Sequence, residues 1–303
     1  MYTNEVHERV GVPIGMASYA RPASLSEALE LLGATAGQSS VIQAPLILAG
    51  GTDYYPARVG RALDDDLIDI TAIPELRGIQ ELPDYWRLGA TTTWSDIAEA
   101  SLPPLFDGLR QAAREVGGTQ IQNAGTIAGN LCNASPAADG VPMLLAMRAR
   151  VELQRRGRLR ELALGDFIAG NRQTRLEPGE LLTAILIPKS KNPTRSIFMK
   201  LGARKYLVIS IAMVGVVIEE SAGIVHGASV AVGACSAVAQ RLTYLEAELI
   251  GRRINAGLAH KAKPKYFEQL SPIDDLRADA AYRREAALTI TRRALAALAK
   301  QQG

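Results

Sequence analysis

Two glycine-bearing stretches hold the residue types in this sequence best suited to gripping a charged ligand. The first is Ala49-Gly50-Gly51-Thr52-Asp53, which follows the apolar run Leu46-Ile47-Leu48. The second is Thr126-Ile127-Ala128-Gly129-Asn130, continued by Cys132-Asn133-Ala134-Ser135-Pro136-Ala137-Ala138-Asp139. Glycines after a buried strand allow positive φ and a close approach of the backbone to whatever it faces. A loop of this kind aims several N–H groups at one point, which suits a phosphate or pyrophosphate. Two such stretches, both rich in small residues and hydrogen-bonding side chains, suggest a dinucleotide held from two sides.

The elements that position these stretches follow from periodicity and caps. Ser24 and Glu27 form a capping box, after which Leu25, Ala28, Leu29 and Leu32 share one face of a short helix. Leu67-Ile68-Asp69-Ile70 and Trp86-Arg87-Leu88 read as strands, and Trp94 to Ala100 and Leu105 to Val116 as helices. Thr126 to Asn133 reads as a loop, too rich in small and polar residues for a core helix. Asp139, with Pro142, starts a helix over Val141 to Met147. Beyond the polar turn Lys189 to Thr194 come strands over Ser196 to Leu201, Val208 to Glu219 and Ile224 to Val232. Helices over Tyr244 to Ile250 and Arg283 to Ala299 follow. Strands and helices do not alternate regularly, so a doubly wound parallel sheet is disfavoured and the fold class is α+β.

Several chemistries lack their residues. No G-x-G-x-x-G opens a helix and no G-K-[ST] occurs, so neither a Rossmann nor a Walker site is present. Two cysteines, Cys132 and Cys235, and three scattered histidines, His7, His226 and His260, cannot ligate iron–sulfur clusters or zinc. No G-x-S-x-G elbow supports a hydrolase. A net charge of +3 with 5% aromatic residues gives no case for nucleic acid. The basic run Arg155-Arg156-Gly157-Arg158-Leu159-Arg160 reads as a solvated hairpin turn. No apolar stretch approaches the roughly 20 residues of a membrane span. Residues 1–15 carry charges and no apolar secretory core, which makes them a short N-terminal extension and the cytoplasm the default location.

The pair of stretches resembles the double glycine grip of the FAD-binding, or medium, subunits of molybdenum hydroxylases, the family of xanthine dehydrogenase and carbon monoxide dehydrogenase. The resemblance begins at Tyr19 to Ala28 and passes through Ala49 to Asp53 and Leu88-Gly89-Ala90-Thr91-Thr92-Thr93. It continues through Gln120 to Asp139, Pro178-Gly179-Glu180-Leu181-Leu182 and Phe198-Met199-Lys200-Leu201-Gly202, and closes at Asp275 to Arg284. It implies a two-part FAD-binding domain over residues 16–190, then a smaller α+β domain with an antiparallel sheet over 195–303. Ile47, Leu48, Ala49, Gly50, Gly51, Thr52, Asp53 and Tyr54 would line one side of FAD; Thr126, Ala128, Gly129 and Asn130 would face it from the other. Gly118 and Ser135 would add contacts, and Asn133 an amide. Asp139 would receive hydroxyls of the ribose or ribityl chain, Leu182 would pack on the adenine or the ring system, and Lys200 would approach the isoalloxazine. Ala128 stands where the family usually has a second glycine; its methyl fits if that residue keeps negative φ.

The resemblance further implies an electron-transfer subunit of a heteromeric enzyme, with the flavin itself as the redox centre and no protein nucleophile. Molybdenum cofactor would reside on a large partner chain and two iron–sulfur clusters on a small one, in a heterotrimer or its dimer. An autonomous FAD-dependent oxidase or NAD(P)H reductase is the alternative, and a flavin-free assembly protein a further one. The acceptor is open between NAD+, a quinone, a carrier protein and O2. Valine at Gly50 or Gly129 should reduce FAD content far more than fold stability, whereas Arg156→Ala should leave both unchanged.

Overall fold

The structure is a computed structural model that describes residues 18–35, 45–61 and 64–300. The N-terminal extension and His7 lie outside the described residues. The first part of the chain forms a small parallel sheet in which Leu67–Asp69 is flanked by Tyr19–Ala20 and Leu46–Leu48. Helix Leu25–Thr35 covers it, burying Ala28, Leu29 and Leu32 against Ile68, Ile70 and Ile73. At its start, Ser24 Oγ accepts the Glu27 N–H at 3.3 Å and the Glu27 carboxylate accepts the Ala23 N–H at 2.9 Å. The sheet thus ends Leu46–Leu48 where the first glycine stretch begins.

The second glycine stretch is held by a five-stranded antiparallel sheet in the order Ile79–Glu81, Tyr85–Gly89, Leu181–Pro188, Arg150–Arg155, Arg158–Ala163. Tyr85–Gly89 runs on into Ala90-Thr91-Thr92-Thr93, which is tied down by side-chain bonds: Thr91 Oγ1 donates to the Leu76 carbonyl at 2.9 Å, and Thr92 Oγ1 accepts the Gly78 N–H at 3.0 Å. Thr93 then caps helix Trp94–Glu99 through a reciprocal bond with Asp96. Trp94, Phe106, Leu109, Ile127, Leu131 and Met143 form the core behind this region. The basic run is a hairpin, as the alternation around it predicts: Arg155 pairs with Arg158 across a turn in which Gly157 has φ +72°. Arg160 in that hairpin is bidentate to the buried Glu180, at 2.6 and 2.7 Å, while Arg156 makes no polar contact among the described residues. Arg156→Ala is therefore expected to change unfolding free energy by no more than about 0.5 kcal/mol in a denaturant titration, with FAD content unaltered.

The remaining chain forms a four-stranded antiparallel sheet in the order Thr194–Leu201, Ala212–Ser221, Ile224–Gly233, Gln240–Arg241. Helices Thr243–Leu249 and Ala280–Lys300 pack over it, with Val214, Val216, Val230, Leu245, Ile290 and Leu295 buried between the layers. The strand expected from Val208 begins only at Ala212. Leu207 adopts φ +51° and the Ser210 hydroxyl is drawn to Asp139 at 2.7 Å, so the intervening residues turn away from the ladder. The last matching segment is structural: buried Arg283 donates to the Ile211 and Ala234 carbonyls at 2.7 and 3.2 Å and to Asp275 at 2.7 Å. The Arg277 backbone N–H and the Arg283 guanidinium hold the Asp275 carboxyl well below the usual carboxylate range.

Candidate cofactor site

The first stretch packs against Ala124 and Gly125, which lead into the second, and this contact explains the first glycine. A Cβ on Gly50 would lie 2.0 Å from the Ala124 carbonyl oxygen and 2.9 Å from Gly125 Cα, so the backbones touch where only hydrogen fits. Gly51 is needed for a different reason. It alone of the pair has positive φ, +66°, and this reverses the chain so that Thr52 to Tyr55 turn over the junction. The main-chain N–H groups of Gly50, Gly51, Thr52, Asp53 and Tyr54 have no acceptor among the described residues, leaving a ring of donors at one end of a cavity of about 660 Å³.

The second stretch works differently from the expected loop: Ile127–Asn133 is a helix, and it has spent its amides. Ile127 N–H donates to the Thr92 carbonyl at 2.9 Å and Ala128 N–H to the Ala90 carbonyl at 3.3 Å. Gly129 N–H donates to the capping Thr126 Oγ1 at 3.1 Å. Small, polar residues fold as helix here because Thr126 caps the turn and the Ala90 to Thr92 extension takes the remaining orphan donors. The stretch therefore offers the cavity a wall of side chains rather than a second nest. Ala128 is helical, with negative φ, so its methyl is accommodated without strain. Asn130 presents a buried side-chain oxygen with no protein partner, a group that costs free energy unless a ligand meets it.

Of the residues singled out from sequence, Ile47, Leu48, Ala49, Gly50, Gly51, Thr52, Asp53 and Tyr54 line the cavity, as do Thr126, Ala128, Gly129, Asn130, Asn133 and Leu182. Gly118, Ser135, Asp139 and Lys200 are not among its lining residues. Gly118 caps helix Thr119–Ala124 and approaches Leu207, and Ser135 Oγ accepts the Ala137 N–H within a turn. Asp139 and Lys200 are bound to each other at 2.7 Å, both buried. Ser210 Oγ donates to the second carboxylate oxygen at 2.7 Å and Lys200 also donates to the Glu115 carbonyl at 3.3 Å. Each Asp139 oxygen thus accepts one bond from protein, and the pair lies outside the cavity lining. Asp139 is also no side-chain cap for helix Gly140–Ala146. Burial pushes its carboxyl above the usual range, against the pull of Lys200.

Two cations on the cavity wall have no motif to reveal them. Arg58 pairs with Asp65 at 2.6 Å and lies over the Tyr54 ring at 3.9 Å; Arg172 contacts the Asn133 side-chain oxygen. Trp94, Val116, Ile121 and Leu176 add apolar wall. The volume lies within the range of small-molecule and cofactor pockets. A ring of free amides, a glycine junction and an apolar trough with one orphaned amide oxygen fit a dinucleotide whose pyrophosphate must be met by donors once it leaves water.

Fold and site together define a flavoprotein of two α+β parts. Residues 14–190 match the family described as the FAD binding domain in molybdopterin dehydrogenase, and residues 197–298 match the CO dehydrogenase flavoprotein C-terminal domain. The chain belongs to the family of FAD-binding, medium subunits of molybdenum hydroxylases and is a flavoprotein oxidoreductase subunit. It is 31% identical over 289 residues to the carbon monoxide dehydrogenase medium chain of Afipia carboxidovorans, covering 93% of this chain and 96% of that one. It is 29% identical over 282 residues to the glyceraldehyde dehydrogenase medium chain of Sulfolobus acidocaldarius, covering 91% and 96%. Among solved structures, a chain of the cyanide-inactivated Cu,Mo-CO dehydrogenase superposes with a TM-score of 0.84 at 28% identity, covering 95% of this chain and 99% of that one.

Proposed function

We propose that this chain holds FAD in the cavity and passes electrons from iron–sulfur clusters on a small partner chain, through the flavin, to an external acceptor. A large partner chain would carry the molybdenum cofactor and oxidise the substrate, in a heterotrimer or its dimer in the cytoplasm. The single observation that carries the reading is the ring of unpaired amides from Gly50 to Tyr54, closed against Ala124 and Gly125. The relatives support the division of labour, since those matched over nearly their whole length are themselves named medium chains. So does the sequence, whose two cysteines are too few for the clusters. We put the domain division at 191–194, a reading supported by the matched regions ending at 190 and resuming at 197.

When bound, FAD supplies the redox chemistry, and the protein supplies binding and electrostatics. The first stretch would neutralise the pyrophosphate with N–H dipoles and no lysine. Thr126, Gly129 and Asn130 would hold the opposite side, Asn130 giving its orphaned side chain a partner. Leu181 and Leu182, presented by the central strand of the five-stranded sheet, would exclude water from the apolar length of the cofactor. The test is the visible spectrum of the purified chain after incubation with FAD. A protein-bound flavin band is expected, and its absence would sink the cofactor assignment. Affinity capture from the native host distinguishes the autonomous enzyme: partner chains should co-purify, and a lone chain that turns over a substrate would overturn the subunit reading.

A further inference from the structure

We propose that Asp65, which lies outside the lining of the main cavity, is a positioning residue that holds the amide ring in the shape that grips the cofactor. This rests on the FAD reading above, which gives the ring its ligand. Little else holds the ring. No residue from Ala49 to Arg61 is buried. The backbone bonds of residues 52–61 are all local: Tyr55 N–H donates to the Gly51 carbonyl, Ala57 N–H to Asp53, Arg58 N–H to Tyr55 and Arg61 N–H to Arg58. A segment with no core of its own and only local bonds belongs to the low end of local stability.

Among the described residues, the non-local hydrogen bonds of residues 52–61 all go to Asp65. Tyr54 Oη donates to its carboxylate at 2.9 Å and Arg58 Nε at 2.6 Å. Both donors line the cavity, and they are bound to each other. The Arg58 guanidinium lies 3.9 Å from the centre of the Tyr54 side chain and donates to the Tyr54 carbonyl at 3.5 Å. One carboxylate therefore fixes the last residue of the amide ring through its hydroxyl and, by way of Arg58, through its carbonyl. Asp65 is itself anchored at the start of the strand Leu67–Asp69. Its neighbour Asp66 accepts the Leu46 N–H at 2.8 Å through its carbonyl and the Ser18 N–H at 2.7 Å through its carboxylate. Arg58 and Tyr54 hold the Asp65 carboxyl below the usual carboxylate range, so at neutral pH both bonds are charge-assisted.

The ring is thus held at two ends. Gly50 seats its start against Ala124 and Gly125, and Asp65 holds its finish. With the finish released, the N–H groups from Gly50 to Tyr54 must be brought to convergence as the ligand binds, an ordering cost that the clamped chain avoids.

The experiment uses the full chain as wild type, Asp65→Ala and Asp65→Glu. FAD dissociation constants come from fluorescence titration, local opening from the rate of tryptic cleavage after Arg58 and Arg61 in the FAD-free chain, and global stability from circular dichroism melts. Asp65→Ala should bind FAD about tenfold more weakly, the loss expected when bonds to a charged group are removed. It should be cut several-fold faster at those two sites with its melt unchanged, and saturating FAD should suppress the extra cleavage. Asp65→Glu, which keeps a charged acceptor, should recover part of both. In a chain already carrying Tyr54→Phe and Arg58→Met, Asp65→Ala should have no further effect on FAD affinity. An unchanged affinity, a tighter complex in which the freed Arg58 attracts the diphosphate, an equal further loss in the double-variant chain, or a loss accompanied by a lower melt overturns this inference alone. A wild-type chain that takes up no FAD overturns the cofactor reading, and this inference with it.

Discussion

Lys200→Met is expected to lower the stability of the folded chain by about 3–5 kcal/mol, the usual cost of removing one partner from a buried ion pair. The lysine and Asp139 are both nearly enclosed, and the pair joins the strand Thr194–Leu201 to the start of helix Gly140–Ala146. Without the ammonium, Asp139 retains only the Ser210 hydroxyl, and its carboxyl, already raised by burial, rises further. A raised carboxyl means that the folded state binds a proton more readily than the unfolded one, so stability falls as pH rises through the carboxyl's folded-state range. The loss in Lys200→Met should therefore be largest at neutral and alkaline pH and smaller at acid pH, where the carboxyl is protonated. Adding Asp139→Asn should recover part of the loss. The measurement is a denaturant titration at several pH values beside a flavin spectrum. A flavin perturbation without loss of stability would place Lys200 at the cofactor instead.

Gly51→Val should cost at least about tenfold in FAD affinity with a folded chain remaining. A β-branched side chain at φ +66° carries a strain of about 1–3 kcal/mol; the free chain relieves it by leaving that conformation, and restoring the conformation on binding costs affinity, about 1.4 kcal/mol being tenfold. Its Cβ would also meet the half-exposed Tyr55 ring at 2.6 Å, which must turn away from the junction. Gly50→Val differs from the expectation formed on the sequence. Its Cβ falls 2.0 Å from the carbonyl oxygen of Ala124, at the end of the helix that leads into the second stretch, so the substitution pries the two backbones apart and lowers stability together with FAD content. Gly129→Val meets Thr126 Oγ1 at 2.8 Å and threatens a helix cap worth about 1 kcal/mol. Circular dichroism melts with FAD fluorescence titrations distinguish the three. Equal behaviour of all three would refute this separation of roles.

Much of the architecture was legible because local rules decide it. The Ser24 and Glu27 cap, the alternation around Arg156-Gly157 and the apolar runs Leu46 to Leu48 and Leu67 to Asp69 each form within a few residues of chain, and each appears where expected. The second stretch was misread because small polar residues weaken helix propensity, and the compensating acceptors, Ala90 and Thr92, lie in a distant strand extension. Val208 was read into a strand for a similar reason: the Ser210 bond to Asp139 crosses the chain and no local pattern records it. Arg58 and Arg172 carried no signal because a guanidinium near a cavity is set by the turn that aims it.

By itself, the sequence determined an α+β chain with two glycine stretches fit to grip a dinucleotide, because strand period, helix caps and backbone freedom are written residue by residue, while the flavin came from the resemblance of ordered motifs to a family. Only the tertiary structure decided how the grip is divided. The first stretch keeps its amides free, the second spends them on Ala90 and Thr92, and Asp139 and Lys200 pair with each other. Whether a donor is available depends on which acceptors the fold brings near it, and that is a property of contacts between residues far apart in the chain.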